Sequence, residues 1–212
     1  MQRRLAILFF FAGSLAFPVI IDRIAIIVGD SIVKESDIAR DLRVTSFLNH
    51  EPLDFSNAAR KKAADRLIDQ IFIRREIQVG AYPIATLAEA DRQLDSLKKE
   101  RFKTNLAFEQ TLHRYELTEL ELRTEFQWQL TVLRFIDIRF RPAVLITDDE
   151  IEKYYHEHVA ALARQYPGKS LDQLHEQIRG ILTGERVNQQ FFSWLNYQRR
   201  HNRIQYRDES LA

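Results

Sequence analysis

Cysteine is absent from the 212-residue chain, and glycine and proline are scarce, with 6 and 5 residues. Without cysteine the protein has no disulfides, thiolate metal ligands or cysteine nucleophiles. Because Gly and Pro mark turns, their scarcity favours long helices. An excess of charge of one sign is also lacking, since 31 basic and 30 acidic residues leave a formal net charge of +1. This balance argues against nucleic acid as a partner.

Helix starts are marked by four capping boxes of the form S/T-x-x-E/Q, each ahead of a periodic apolar segment. Their first residues are Thr86, Thr118, Thr147 and Ser170. With 45% hydrophobic residues the chain can bury a substantial core. We therefore expect a mainly helical protein of one domain, with or without a loosely attached helical arm.

Apolar periodicity predicts the extent of two long helices, the second of which follows the capping box of Thr118. The first runs from Ser56 or Asn57 to Val79, and Gly80 suits a left-handed position at its end. The second covers residues 119–141 and is apolar on several faces, so other helices should wrap it.

The segment of residues 21–36 predicts a hairpin followed by a helix. Residues 21–28 are β-branched and apolar, Gly29-Asp30 suits a tight turn, and residues 31–33 return as a second strand. Ser36 is the expected N-cap of the next helix. An isolated hairpin is marginal in water, and the sequence RIQYR at residues 203–207 is the later candidate for a third strand. We predict a small antiparallel sheet formed by the N-terminal hairpin and the C-terminal strand.

The N-terminus has the pattern of a secretory signal peptide. Arg3 and Arg4 precede an apolar run, and Ser14 and Ala16 fit a small-residue cleavage site. The prediction is cleavage after residue 16 and export. The alternative is an uncleaved membrane anchor over residues 5–21, a length at the short edge for a spanning helix.

Motifs for phosphate or metal binding are incomplete. The sequence PGKS at residues 167–170 has no glycine at position 163 and no preceding strand, so a turn before a capping serine is the better interpretation. His156 and His158 are two residues apart and cannot share a helix face, which argues against a metal site. No spacing flags a nucleophile. We predict no catalytic residues, no metal and no cofactor.

Aromatic residues are numerous, with 14 Phe, 7 Tyr and 2 Trp. Several lie within apolar stripes, where inward packing is expected: Phe126, Trp128, Phe135 and Trp194. Others lie at predicted helix ends and are our candidates for a substrate-binding cradle: Phe102, Phe108, Tyr154 and Tyr155.

The order of four segments resembles the SurA family of periplasmic chaperones. They are IDRIAIIVGDSIVKESDI, ADRLIDQIFIRREIQVG, ITDDEIEKYY and FFSWLNYQRRHNRIQYRD. The resemblance covers nearly all of residues 17–212. It implies a helical core closed by a small sheet, acting as an ATP-independent holdase for unfolded outer-membrane proteins.

One departure concerns the parvulin-type isomerase domains that the family commonly inserts. At that place the chain has residues 156–169, too few for an independent domain, between an N-terminal part (17–155) and a C-terminal helix and strand (170–212). The expectation is a non-enzymatic periplasmic chaperone for unfolded outer-membrane or exported polypeptides. It should bind neither nucleotide nor nucleic acid. Transient proximity to a membrane is compatible with this expectation. The alternatives are a prolyl isomerase-related enzyme and an envelope adaptor with one dedicated partner.

Overall fold

The computed structural model describes residues 22–211, and these form eight α-helices and a three-stranded antiparallel sheet. The predicted class, mainly α with a small sheet, is confirmed. The predicted signal segment lies outside the described residues. The strands are β1 (Ile24–Val28), β2 (Ser31–Lys34) and β3 (Ile204–Tyr206). The helices are α1 (Glu35–Asn49), α2 (Asn57–Val79), α3 (Leu87–Arg101), α4 (Asn105–Arg114), α5 (Glu119–Phe140), α6 (Asp148–Glu157), α7 (Val159–Gln165) and α8 (Leu171–His201).

The sheet has the order β2-β1-β3, so the last strand pairs with the first, as predicted. Ile26 lies opposite Val33 on β2 and opposite Tyr206 on β3. Gly29 makes the hairpin turn with a φ of 56°, a left-handed conformation that glycine adopts without steric cost. Val28 is buried with Ala25 and Ile26, so β1 is the covered centre of the sheet.

The predicted cap of α1 was wrong, and the helix begins two residues earlier than a cap at Ser36 would place it. Lys34 is the N-cap residue, and its backbone N–H donates to the Asp37 carboxylate at 3.0 Å. Ser36 lies inside the first turn, where its hydroxyl donates to Asp22 at 2.5 Å. The Asp22 carboxylate before the sheet therefore competes for the hydroxyl that the sequence assigned to capping.

The end of α2 also differs from the prediction. Ser56 caps the helix as expected, accepting from the N–H of Ala59. Gly80, however, has a φ of −83°, and the left-handed residue is Ala81 with a φ of 50°. Gly80 is required for another reason, because a Cβ there would collide with the ring of Tyr82. The glycine makes space for a close approach.

The four predicted capping boxes are all present at α3, α5, α6 and α8. Helix α4 was not predicted; Thr104 caps it, accepting from the N–H of Ala107 without an acidic N3 partner. The predicted linker at residues 156–169 contains α7, which is anchored by buried Leu162.

Other helices pack against α5 on more than one side, as predicted, but they leave part of its apolar surface exposed. Phe126 and Phe135 are buried, but Leu120 and Leu133 are each 64% exposed. The two halves of α5 pack in different clusters, Phe126 with α1, α3 and α4, and Phe135 with α2 and α8. Each half consequently leaves at least one large apolar side chain that its neighbours do not cover.

The core is divided into four hydrophobic clusters along the molecule. One joins the sheet to α1, α2 and Leu211; the next two lie at the two halves of α5; the fourth joins α6 and α7 to the start of α8. Trp194 packs against the first and third clusters, so α8 connects the sheet to the α5 end of the molecule. On one side of the molecule, α1, α2 and α5 border a common groove.

Candidate functional site: a groove between three helices

The four predicted cradle residues do not form one surface. Phe102 and Phe108 pack together with ring centroids 5.2 Å apart, and both contact Phe47 of α1. Phe108 is fully buried, so its side chain belongs to the core and offers no surface to a ligand. Phe102 is half-buried at the end of α3.

Tyr154 and Tyr155 lie in a different cluster on α6. Both are half-buried beside Ile151, and Tyr154 stacks on His158 with ring centroids 4.0 Å apart. The two tyrosines belong to the module formed by α6, α7 and the start of α8. The sequence placed them with the phenylalanines only because all four lie near helix ends.

A continuous groove lies elsewhere, between α1, α2 and α5. Two adjoining cavities of about 290 and 560 Å³ form it. Both are lined by Arg74 of α2 and by Thr124 and Trp128 of α5, which make the shared floor. Volumes in this range suit side chains of a ligand or peptide.

The first cavity is rich in charge. Four carboxylates and two guanidinium groups line it, from Asp37, Arg40, Asp41, Arg74, Glu121 and Glu125. Most are already engaged within the protein. Arg40 pairs with Asp37 at 3.0 Å, and the Asp41 carboxylate accepts two hydrogen bonds from Arg66.

Two carboxylates at this end have raised pKa values. Burial raises the pKa of Asp41 in spite of its pairing with Arg66. Burial also raises the pKa of Glu125, and the negative charge of Asp41 adds to the increase. Gln129 donates to Glu125 at 2.9 Å. The first cavity is thus an acidic environment in which further negative charge is unfavourable.

The second cavity is largely neutral. Its apolar lining comes from the end of α2, the connection after it and α5, through Ile77, Tyr82, Ile84 and Trp128. The lining amide of Gln127 donates to the carbonyl of Ala85 at 2.9 Å. Arg74 is the charged residue among those that line this cavity in the described part of the chain.

Arg74 lies over the indole of Trp128, with its guanidinium carbon 3.9 Å from the ring centroid. Within residues 22–211 it makes no hydrogen bond or ion pair, although its side chain is open to the groove. Protein atoms around the guanidinium lower its pKa by desolvation, while the charge of Glu125 opposes that change. The centre of the groove is therefore a cation on an aromatic face with unused N–H donors.

Exposed apolar side chains border both cavities. Leu120 lines the first cavity and is 64% exposed, and Ile84 lines the second and is 63% exposed. A groove with an aromatic floor and apolar rims can take up apolar side chains of a flexible polypeptide.

Sequence reasoning missed the groove because it assigned Trp128 to the core. The signal was present on α5, where the polar residues Thr124, Gln127 and Thr131 recur at helical spacing beside the tryptophan. A stripe of that kind on an otherwise apolar helix indicates a face that is not fully covered.

No helix within residues 22–211 combines the length and the apolar character needed to cross a membrane. In the same part of the chain, no three His, Asp or Glu side chains are grouped so as to hold a metal ion. Comparison of the sequence with models of known protein families and with curated proteins found no match.

Proposed function

We propose that this protein is an ATP-independent holdase chaperone of the SurA type that binds unfolded outer-membrane or exported polypeptides in the periplasm. The groove between α1, α2 and α5 is the site at which client segments bind. The observation that carries the proposal is the open floor made by Trp128 and Arg74, bordered by the exposed side chains of Leu120 and Ile84. The resemblance of four ordered segments to the SurA family supports the same function.

The chemistry of the groove suits transient binding. Three or four client side chains that each gain about 2 kcal/mol by burial give a gross free energy near the 8 kcal/mol of a micromolar complex. Ordering of the client reduces that value. Affinity of this order permits release without nucleotide. The presence of both acidic and basic groups in the first cavity tolerates varied polar side chains between the apolar ones.

The test is aggregation of an unfolded β-barrel client, diluted from urea, with and without the chain of residues 17–212 and without ATP. That chain keeps every described helix and strand. Suppression of light scattering at a small molar excess is the expected result. Absence of suppression at several-fold excess contradicts the proposal, and turnover of a proline peptide would contradict its non-enzymatic part.

A matched pair of variants locates the site. Leu120 and Leu106 are similarly exposed, at 64% and 62%, but only Leu120 lines a cavity of the groove. Leu120→Asp is expected to weaken client holding at least severalfold, whereas Leu106→Asp leaves it unchanged. Equal behaviour of the two variants moves the client site away from the groove. Retention of one dedicated partner without general client holding favours the adaptor alternative.

A further inference from the structure

We infer that the second cavity binds the C-terminal residue of a client chain, with Arg74 holding the α-carboxylate and the cavity taking an apolar last side chain. The inference rests on the proposed function, because it names which part of an unfolded polypeptide the groove recognises. It is carried by an unengaged guanidinium at the edge of an apolar cavity.

The free donors of Arg74 distinguish it from two arginines of α5. Arg134 and Arg139 reach Glu89 and Glu76, at 2.6 Å in each case. Arg74 has neither an ion pair nor a hydrogen bond with residues 22–211, and its guanidinium carbon lies 3.9 Å from the ring centroid of Trp128. Its N–H donors therefore stay available for a planar acceptor.

Two of the polar side chains that line the cavity, Thr131 and Gln127, are hydrogen-bonded within the protein. The hydroxyl of Thr131 accepts from the backbone N–H of Ala85 at 3.0 Å and donates to the carbonyl of Gln127. The Gln127 amide donates to the Ala85 carbonyl. A ligand therefore meets one unengaged charge, on Arg74, beside apolar side chains such as Ile77 and Ile84.

Charge complementarity selects a single carboxylate. A guanidinium edge matches a carboxylate with two parallel hydrogen bonds. A phosphate or another dianion is disfavoured, because Glu125 and Asp41 lie in the adjoining cavity and the nearby Arg40 is already paired with Asp37. In a polypeptide, a carboxylate attached directly to a residue with an apolar side chain occurs at the C-terminus.

The experiment measures binding of fluorescein-labelled peptides GSGSGF to residues 17–212 by fluorescence anisotropy. One peptide ends in a free acid, one in an amide, and a third is amidated with glutamate before the phenylalanine. The expected result is that the free acid binds about tenfold more tightly than the amide. Arg74→Gln should abolish that ratio, while Arg75→Gln, next to it on α2 but outside both cavities, should preserve it.

A second variant covers the case in which Arg74→Gln fails to fold. Ile84→Glu places a carboxylate at the exposed mouth of the cavity and should lower the acid-to-amide ratio by repulsion. Equal binding of acid and amide overturns the inference while leaving the holdase proposal intact. Tight binding of the glutamate peptide overturns it as well, since the site would then accept any carboxylate. If no peptide binds, the inference is overturned, and the aggregation assay decides whether the holdase proposal fails with it.

Discussion

Arg60 of α2 donates to Asp208, 148 positions later in the chain, across an Nη2 to Oδ2 distance of 2.6 Å. The same guanidinium group reaches Glu35 at the start of α1 at 2.9 Å. Hydrogen bonds from Ser210 contribute most to lowering the pKa of Asp208, and the charge of Arg60 adds to the effect. One arginine thus joins the residues after β3 to the helix that follows β2, and it fixes the C-terminal segment beside the hairpin.

Substitution of Leu211 tests how much the packing of the C-terminal segment against the sheet contributes to the free energy of unfolding. The side chain is 4% exposed and packs in the cluster of the sheet. Leu211→Ala should lower the free energy of unfolding by about 2 to 4 kcal/mol, because a buried leucine is replaced by a cavity. Urea denaturation measures the change. Leu145→Ala is the control, since Leu145 is 81% exposed, and a similar loss in both variants would contradict the role of the C-terminal segment.

Glu150 should make the module of α6 and α8 sensitive to acid. Hydrogen bonds from Arg186 and from the backbone of Thr147 lower its pKa from 4.5 to about 2. Because the folded pKa is depressed, the stabilisation is present above about 4.5 and is lost as pH falls toward about 2. Thermal unfolding across this range should show a smaller acid-induced decrease for Glu150→Gln than for the parent chain. Glu185→Gln, at an exposed neighbouring position, should follow the parent.

Glu125 in the groove should have the opposite effect on the pH dependence of stability, lowering the free energy of unfolding at neutral pH. Its pKa is raised by burial and by Asp41, so the folded state disfavours the ionised form. The resulting cost is absent at pH well below 4.5, grows as pH rises through the folded pKa and is complete above it. Glu125→Gln should therefore raise the free energy of unfolding at pH 7 by about 1 kcal/mol or less, with no gain in acid. Urea denaturation at pH 7 and at a pH well below 4.5 checks this. An equal effect of the substitution at the two pH values would contradict it.

The connection after α2 allows two opposite substitutions at adjacent positions. Ala81→Gly should stabilise the fold by about 0.5 to 1 kcal/mol, because glycine has no steric penalty at a φ of 50°. Gly80→Ala should destabilise it, since the new Cβ meets Tyr82. Thermal unfolding gives both signs, and a stabilising Gly80→Ala would show that Tyr82 moves freely. Because Tyr82 lines the second cavity, Gly80→Ala should also reduce peptide binding.

Tryptophan fluorescence reports on the groove directly, since the chain contains two tryptophans. In a Trp194→Phe variant the emission comes from Trp128, on the floor of the groove. Addition of a client peptide should change its intensity or wavelength, because the ligand displaces water from the indole. The converse Trp128→Phe variant leaves Trp194, which packs against Phe135 and Phe140, and should not respond. A response from Trp194 alone would place the binding site elsewhere.

Those parts of the fold that depend on short sequence patterns, such as helix starts and strands, could be predicted. The four capping boxes set helix starts, and the alternating polar and apolar pattern of residues 203–207 predicted the third strand. Helix α4 was missed because Thr104 has no acidic residue three positions later, and Phe108 was consequently taken for a residue outside the core. Positions in the groove depend on how three helices diverge. That divergence follows from long-range packing around the two halves of α5, which periodicity within one helix does not encode.

The strand order β2-β1-β3 also determines when the sheet can be completed during synthesis, because β3 is the last strand to be made. Strands β1 and β2 are made within the first 34 residues, but the second edge of β1 stays unpaired until Ile204–Tyr206 has been synthesised. Until then the apolar hairpin has an open edge at which another extended chain can pair. The sheet therefore closes only after the eight helices of residues 22–211 have been made.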